Sequence, residues 1–277
     1  MKSSKRVKTL TLALGAGAGV YVGLAYLIAP NYWRHYEHQL ALADKSMLTR
    51  TALGIPGDAL NVGLEGKRDD ILCAMRAAGW KPADPVTLRS SFKIVGSVLA
   101  RRAYATAPVS DLFWEGRRED LAFEKPSGVS PSRRHHVRFW RALDSGQNGA
   151  PVWLGGATYD RSVGVSHYTG QVTHHIDADI DAERDLLIGD LAASGHVSAT
   201  YQVAGVGPTL RGYNGGGDPY FTDGEIRLAR LKEDCASDAT PPEILPANVA
   251  TRARSAVFGW IGWVWRAMRP PPSTGSG

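Results

Sequence analysis

A chain of 277 residues, 43% hydrophobic and 21% charged, holds enough material for one good core with special segments attached. Its formal charge of +5 is modest, and the excess gathers at the N-terminus and among the C-terminal arginines, so nucleic acid is not an expected partner. Cys73 and Cys235 are the only thiols, which excludes a disulfide framework and a CxxC metal or redox motif.

One bridge between the two cysteines is possible. The expectation is nevertheless a buried Cys73 on a helix and an ordinary Cys235 in a loop. Residues 1–8 form a basic tail with Lys2, Lys5, Arg6 and Lys8, and Thr9 to Ala29 follow without a charge. At 1.5 Å per residue that run crosses roughly 30 Å of hydrocarbon, so 9–29 reads as a single transmembrane anchor. The four basic residues outweigh Arg34 and Lys45 after the run, which predicts a cytoplasmic N-terminus and a main domain on the periplasmic side of the inner membrane. Ala16-Gly17-Ala18 resembles a signal-peptide cleavage site, but the apolar run continues well beyond it, which favours a retained anchor. Gly19-x-x-x-Gly23 is a spacing that lets helices approach closely.

Residues 30–57 read as a stalk, with His35 and His38 interfacial or solvated. The next segment, 58–232, reads as one α+β domain, an antiparallel sheet with about three helices. It opens on a strand, Ala59 to Leu64. Ile71, Leu72, Met75 and Ala78 then repeat at helical spacing, and Gly79 offers a left-handed cap. Thr87 to Ala103 is a second predicted helix. Val109–Trp114 and Asp120–Glu124 read as a hairpin.

If Arg134 to Leu143 is extended, alternation turns His135, Val137, Phe139 and Leu143 to the core and His136, Arg138 and Trp140 to a more polar surface. Pro151 to Arg161 is the next strand. In Val172 to Asp177 the same alternation groups His174 with Val172 and Ile176, and His175 with Thr173 and Asp177. One face is therefore expected to collect His136, Arg138, His175 and Asp177. Asp181 to Ser194 reads as a helix whose N-terminus gathers Asp177, Asp179, Asp181, Glu183 and Asp185. Capping, or an ion-pair network with Arg138 or Arg184, competes there with a ligand-binding role. An EF-hand is discounted, because Ala182 stands for the required glycine and Ile188 for the bidentate acid.

His196 to Val203 returns as a strand. Gly205 to Gly224 is a long loop whose backbone amides can approach an anion, with Arg211, Asn214, Asp218, Tyr220 and Asp223 nearby. Glu225 to Lys232 closes the sheet. A Pro-rich linker (233–254) then leads to a Trp-rich segment (255–268) of interfacial composition and to a disordered tail (269–277).

Imidazole with carboxylate can ligate a divalent metal or perform acid–base work, which makes His136, His175 and Asp177 the candidate catalytic or metal-ligating residues. Arg138, Trp140, Asp160, Arg184, Arg211, Asn214, Asp218, Tyr220 and Asp223 are the candidate ligand-binding set. No HExxH spacing is present, so no cofactor is specified and a divalent metal rests on residue types alone.

Three long motifs occur in order: His135-His136-Val137-Arg138-Phe139-Trp140, Trp153-Leu154-Gly155-Gly156-Ala157-Thr158-Tyr159-Asp160, and His174-His175-Ile176-Asp177 running on through Glu183-Arg184-Asp185. With Asn214-Gly215-Gly216-Gly217-Asp218 behind them, they make the chain resemble the LssY C-terminal domain family. The resemblance covers the α+β domain and carries no established activity. In related chains the domain is joined to DedA-type membrane regions or to lipid-phosphate phosphatases. By analogy, this implies a bacterial envelope protein that meets membrane lipid and binds an anionic lipid-phosphate headgroup or a membrane protein partner. The alternative it implies is a metal-assisted or histidine-dependent hydrolase of such a substrate.

Overall fold

The computed structural model describes residues 2–28, 38–42, 44–83, 112–128, 133–170, 172–205 and 211–247, and single helical positions at 252, 256, 260, 263 and 264. The predicted helix Thr87–Ala103, the upper stalk with His35, and most of the Trp-rich segment lie outside the described residues.

Helix α1 (Lys2–Val22) runs on as a wider π turn, Gly23–Ile28. Thr11–Ile28, with a mean hydropathy of 1.7, is long and apolar enough to cross a membrane, and none of that window is buried. The folded part begins with a 3-10 turn, Leu40–Leu42, followed by β1 (Leu48–Arg50), β2 (Pro56–Ala59), β3 (Val62–Glu65), α2 (Arg68–Ala77) and β4 (Lys81–Pro82). Next come β5 (Phe113–Trp114), β6 (Arg117–Arg118), β7 (Leu121–Pro126), β8 (Arg134–Leu143), β9 (Val152–Val165) and β10 (Val172–Ile176). Helix α3 (Ile180–Ala193) leads to β11 (Val197–Ala204), β12 (Gly212–Tyr213), β13 (Pro219–Tyr220), β14 (Glu225–Leu231) and β15 (Glu243–Ile244).

The architecture is α+β. A nine-stranded sheet runs in the order β15-β11-β14-β3-β9-β8-β7-β4, with β10 paired to the far half of β9. Most neighbours are antiparallel, but β14 with β3 and β11 with β15 are parallel, so the sheet is mixed rather than purely antiparallel as expected. Where β3 stops and β10 has not begun, Asn61 bridges the gap: its amide nitrogen donates to the Ala157 and Ile180 carbonyls, and its oxygen accepts from Ala157 N–H.

Helices α2 and α3 cover one face. There Ile71, Met75, Trp80, Leu187 and Leu191 pack on Phe123, Val137, Phe139 and Trp153. Gly79, at φ +84, ends α2 in the left-handed conformation that glycine adopts without strain. The opposite face is covered as well. A four-stranded sheet, β2-β1-β5-β6, lies over it, and Leu42, Met47, Leu60, Leu112 and Trp114 pack on Trp140, Leu154, Val203, Ile226 and Leu228.

That second layer corrects several expectations. Leu42 and Met47, expected in a stalk, are part of the core, and the His38 ring lies tilted against Tyr201 with centroids 5.1 Å apart. The segments around Trp114 and Phe123 do not pair with each other; β5 pairs with β6 and β1, while β7 pairs with β8. The Pro-rich linker supplies β15 to the sheet edge. Cys73 and Cys235 form a disulfide between α2 and the turn after β14, with Cα atoms 5.9 Å apart, where free thiols were expected.

Candidate functional site

The two histidine strands flank β9, yet His136 and His175 do not share one face. On β8, Arg134, His136, Arg138 and Trp140 alternate onto the side covered by the small sheet. Trp140 is plain core there, fully buried, with its indole N–H donated to Arg117 O. Arg138 donates to Asp58 of β2 at 3.1 Å, and Arg134 spans Glu124 (2.8 Å) and Asp160 (2.9 Å). The polar surface expected around His136 and Arg138 is thus a buried ion-pair cluster, in which β2 contributes Asp58.

His136 completes the cluster. Its Nε2 lies 2.7 Å from Thr158 Oγ1, and its Nδ1 lies 3.3 Å from Asp160 Oδ2, close enough for attraction but off line for a hydrogen bond. Burial alone would raise the Asp160 pKa, but His136, His174 and Arg134 outweigh it and hold the carboxyl well below the usual range. Hydroxyl, imidazole and carboxylate stand in nucleophile–base–orienter order. Thr158, His136 and Asp160 are 1%, 4% and 1% exposed, however, so a substrate has no approach.

On β10 the register shifts between His175 and Ile176, which leaves Ile176 opposite Asp160. His174, two residues from Ile176, therefore joins the Asp160 side, and His175 turns to the other, the reverse of the expected grouping. Burial, aided by the charges of Arg134, His136 and Arg138, lowers the His174 pKa from 6.5 to about 4. As pH falls through 6.5 the unfolded chain takes up this proton, whereas the fold does so only near 4. The stability from the neutral imidazole is complete above 6.5 and lost towards 4, by up to about 3 kcal/mol. Asp181, raised to about 6 by burial, acts in the opposite sense below that pH. The measurement is therefore a difference: with a chelator present, urea unfolding of wild type minus His174→Gln should narrow by that amount between pH 7 and 4. A constant difference contradicts the assignment.

Each acid at the N-terminal end of α3 has a structural task. Asp177 is exposed and accepts from Asp179 N–H; Asp179 caps the helix by accepting from Ala182 N–H at 3.2 Å. Asp181 accepts from Thr222 Oγ1 and Asp223 N–H, both at 2.7 Å. Glu183 takes His135 Nδ1 at 2.9 Å, which ties α3 to the sheet. Buried Arg184 gathers Asp181, Asp185 and Asp223, the last bidentately, and these carboxylates hold its pKa above the ordinary value despite burial. Arg184 and Asp223 thus fasten α3 to the chain before β14 rather than hold a ligand. Asp177 does not reach His136.

The glycine loop divides similarly. Arg211 is exposed over the Tyr213 ring, and Tyr220 is buried beside Ile176 and Ile180, its pKa pushed up to about 12 by burial and Asp58. Asn214 shapes the turn by accepting from Gly216 and Asp218 N–H. Asp218 projects from that turn to His175: its Oδ1 lies 2.7 Å from His175 Nδ1, and its Oδ2 accepts from Ile176 N–H. His167, in the turn joining β9 to β10, brings Nε2 to 3.9 Å from the same Oδ1. The sequence reading passed over His167; the signal was its place in the turn that folds β10 back on β9. Exposure falls from 63% at His167 through 19% at His175 to 3% at Asp218, so this cluster is open on one side.

Searches of curated proteins and of solved structures return no match. A family model described as the LssY C-terminus matches residues 37–226, more than half of the chain, including the added layer of β1 and β2 and the histidines of β8, β10 and the turn between β9 and β10. The chain belongs to the LssY C-terminal domain family.

Proposed function

We propose that this is a membrane-anchored envelope domain, held on the periplasmic side, that binds the phosphate headgroup of an anionic lipid at the β9–β10 hairpin. The observation that carries this reading is the composition of the hairpin. Arg161 is exposed, and Val163, Val165 and Tyr168 are each close to half exposed, beside the open His167–His175–Asp218 cluster. Arginine, tyrosine and aliphatic side chains together suit the headgroup level of a bilayer. Residues 29–37 reach at most roughly 35 Å from Ile28 to His38, so an anchored domain stays against its membrane. β9 extends the hairpin roughly 43 Å from Val152, which lies near the point where the chain enters the fold; the domain must therefore lie along the bilayer for the hairpin to touch lipid.

The test titrates full-length protein in detergent with short-chain phosphatidic acid and with phosphatidylcholine. Phosphatidic acid should bind at least about tenfold more tightly, and Val165→Ser with Tyr168→Ser should weaken it by roughly a further tenfold, the scale of one lost apolar side chain. Equal affinity for the two lipids contradicts the reading. A histidine-dependent hydrolase draws no support from the sealed Thr158–His136–Asp160 group. A metal-assisted one would use the open cluster, and phosphate release in the same titration would reveal it.

A further inference from the structure

We infer that His167, His175 and Asp218 bind a divalent transition metal, zinc in the first instance, through two imidazoles and one carboxylate. Their ligand atoms all lie within 4.8 Å of one another. Tetrahedral zinc with bonds of 2.0–2.1 Å needs ligand atoms roughly 3.3 Å apart. The separations from Asp218 Oδ1, 2.7 Å to His175 and 3.9 Å to His167, bracket that value. The ion would replace the proton between His175 and Asp218 and draw in His167, which its exposure leaves free to turn.

The surroundings are built for this arrangement. Asp218 is aimed from behind, by Ile176 N–H on its Oδ2 and by its own N–H on Asn214 Oδ1 at 2.8 Å, the outer bonding that fixes a metal-ligating carboxylate. His175 packs its Nε2–Cδ2 edge against Gly164, where a Cβ would fall 2.1 Å from Nε2. Gly217 has φ +87, and a Cβ there would fall 2.7 Å from His167 Cβ, so the glycine run admits the histidine turn. His167 N–H donates to Gly216 O, which joins the two loops. Imidazole donors favour zinc, copper, iron or nickel over calcium, magnesium or manganese, which prefer oxygen ligands. Three protein ligands leave a position open to water or to a phosphate oxygen. The bound ion would supply the positive charge that an anionic headgroup requires; that bridging role rests on the headgroup reading, but the metal site itself does not.

Tag-free full-length protein in detergent, stripped with EDTA and dialysed, would be titrated with zinc by calorimetry. One equivalent should bind, with affinity lowered at least about a hundredfold in His175→Ala and in His167→Ala. His167 is exposed, so its removal should leave the fold intact, which thermal unfolding of the apo variant would verify. Gly164→Ala, which keeps every ligand but displaces the His175 ring, should weaken zinc as well. Absence of stoichiometric zinc, or zinc binding unchanged in His167→Ala, overturns the site. The lipid titration with zinc and with EDTA separates the two ideas. A preference for phosphatidic acid without zinc binding sinks the metal and spares the headgroup reading; zinc binding without lipid preference does the reverse. Zinc binding with a lipid preference indifferent to EDTA removes the bridge alone.

Discussion

Arg134→Met is expected to destabilise the folded domain by about 3–5 kcal/mol. The guanidinium lies between Glu124 and Asp160, and both carboxylates are essentially fully buried. Methionine of similar length leaves both acids without this cation, and His136 and His174 then face Asp160 alone. The size comes from desolvation: a buried carboxylate stripped of its partner keeps its full penalty, whereas the intact pair nets little. Two controls follow. Lys125→Met, which breaks the half-exposed pair with Asp190, should change stability by less than about 1 kcal/mol. Replacing Glu124, Arg134 and Asp160 together by apolar residues should be milder than Arg134→Met alone, since neither acid then stays buried without the guanidinium. Urea unfolding followed by tryptophan fluorescence reads all three. An Arg134→Met loss no larger than that of Lys125→Met would mean that water reaches the cluster.

That cluster also explains why the candidate site was only half legible in the sequence. The order of elements from β8 to β14 follows from local signals: period-two runs at Arg134–Leu143 and Pro151–Arg161, the helix capped at Asp179, and the glycines that punctuate them. Alternation also separates His135 from His136 correctly, because it is a property of a single strand. What the face of Arg138 and Trp140 looks onto depends on a layer contributed by β1, β2 and β5, short pieces of four residues at most that carry too little periodicity to declare themselves. The grouping of His175 with His136 failed for a different reason. Side-chain parity between strands depends on register, and one shift beside Ile176 exchanges the two histidines. Asp218 stood among the candidate ligands for its place in the glycine loop, but only tertiary structure could bring it to His175 across 43 residues of chain.

Removing the disulfide, as Cys73→Ser with Cys235→Ser, should lower stability by an amount that bears on the compartment as well as the fold. The bond joins residues separated by 162 positions and so restricts the unfolded chain strongly; loop-closure entropy gives a ceiling on the order of 5 kcal/mol, with 2–4 kcal/mol typical of measured bridges. For a domain of this size that is roughly 5–15 °C in Tm. The bond also holds the turn at Glu233–Cys235 against α2, where Asp70 accepts Cys235 N–H at 3.1 Å, and thereby steadies the approach to β15. Cys235 is exposed, so dithiothreitol should lower the Tm of the wild type to that of the double variant and leave the variant unchanged. If reduction does not move the wild-type Tm, the bond contributes nothing to folding. Because such a bridge persists in the periplasm and is reduced in the cytoplasm, thiol labelling in intact cells then reads orientation. Cysteines that resist a maleimide until reductant is added place the domain beyond the inner membrane, and free thiols in untreated cells put it on the cytoplasmic side, against the charge asymmetry around the N-terminal helix.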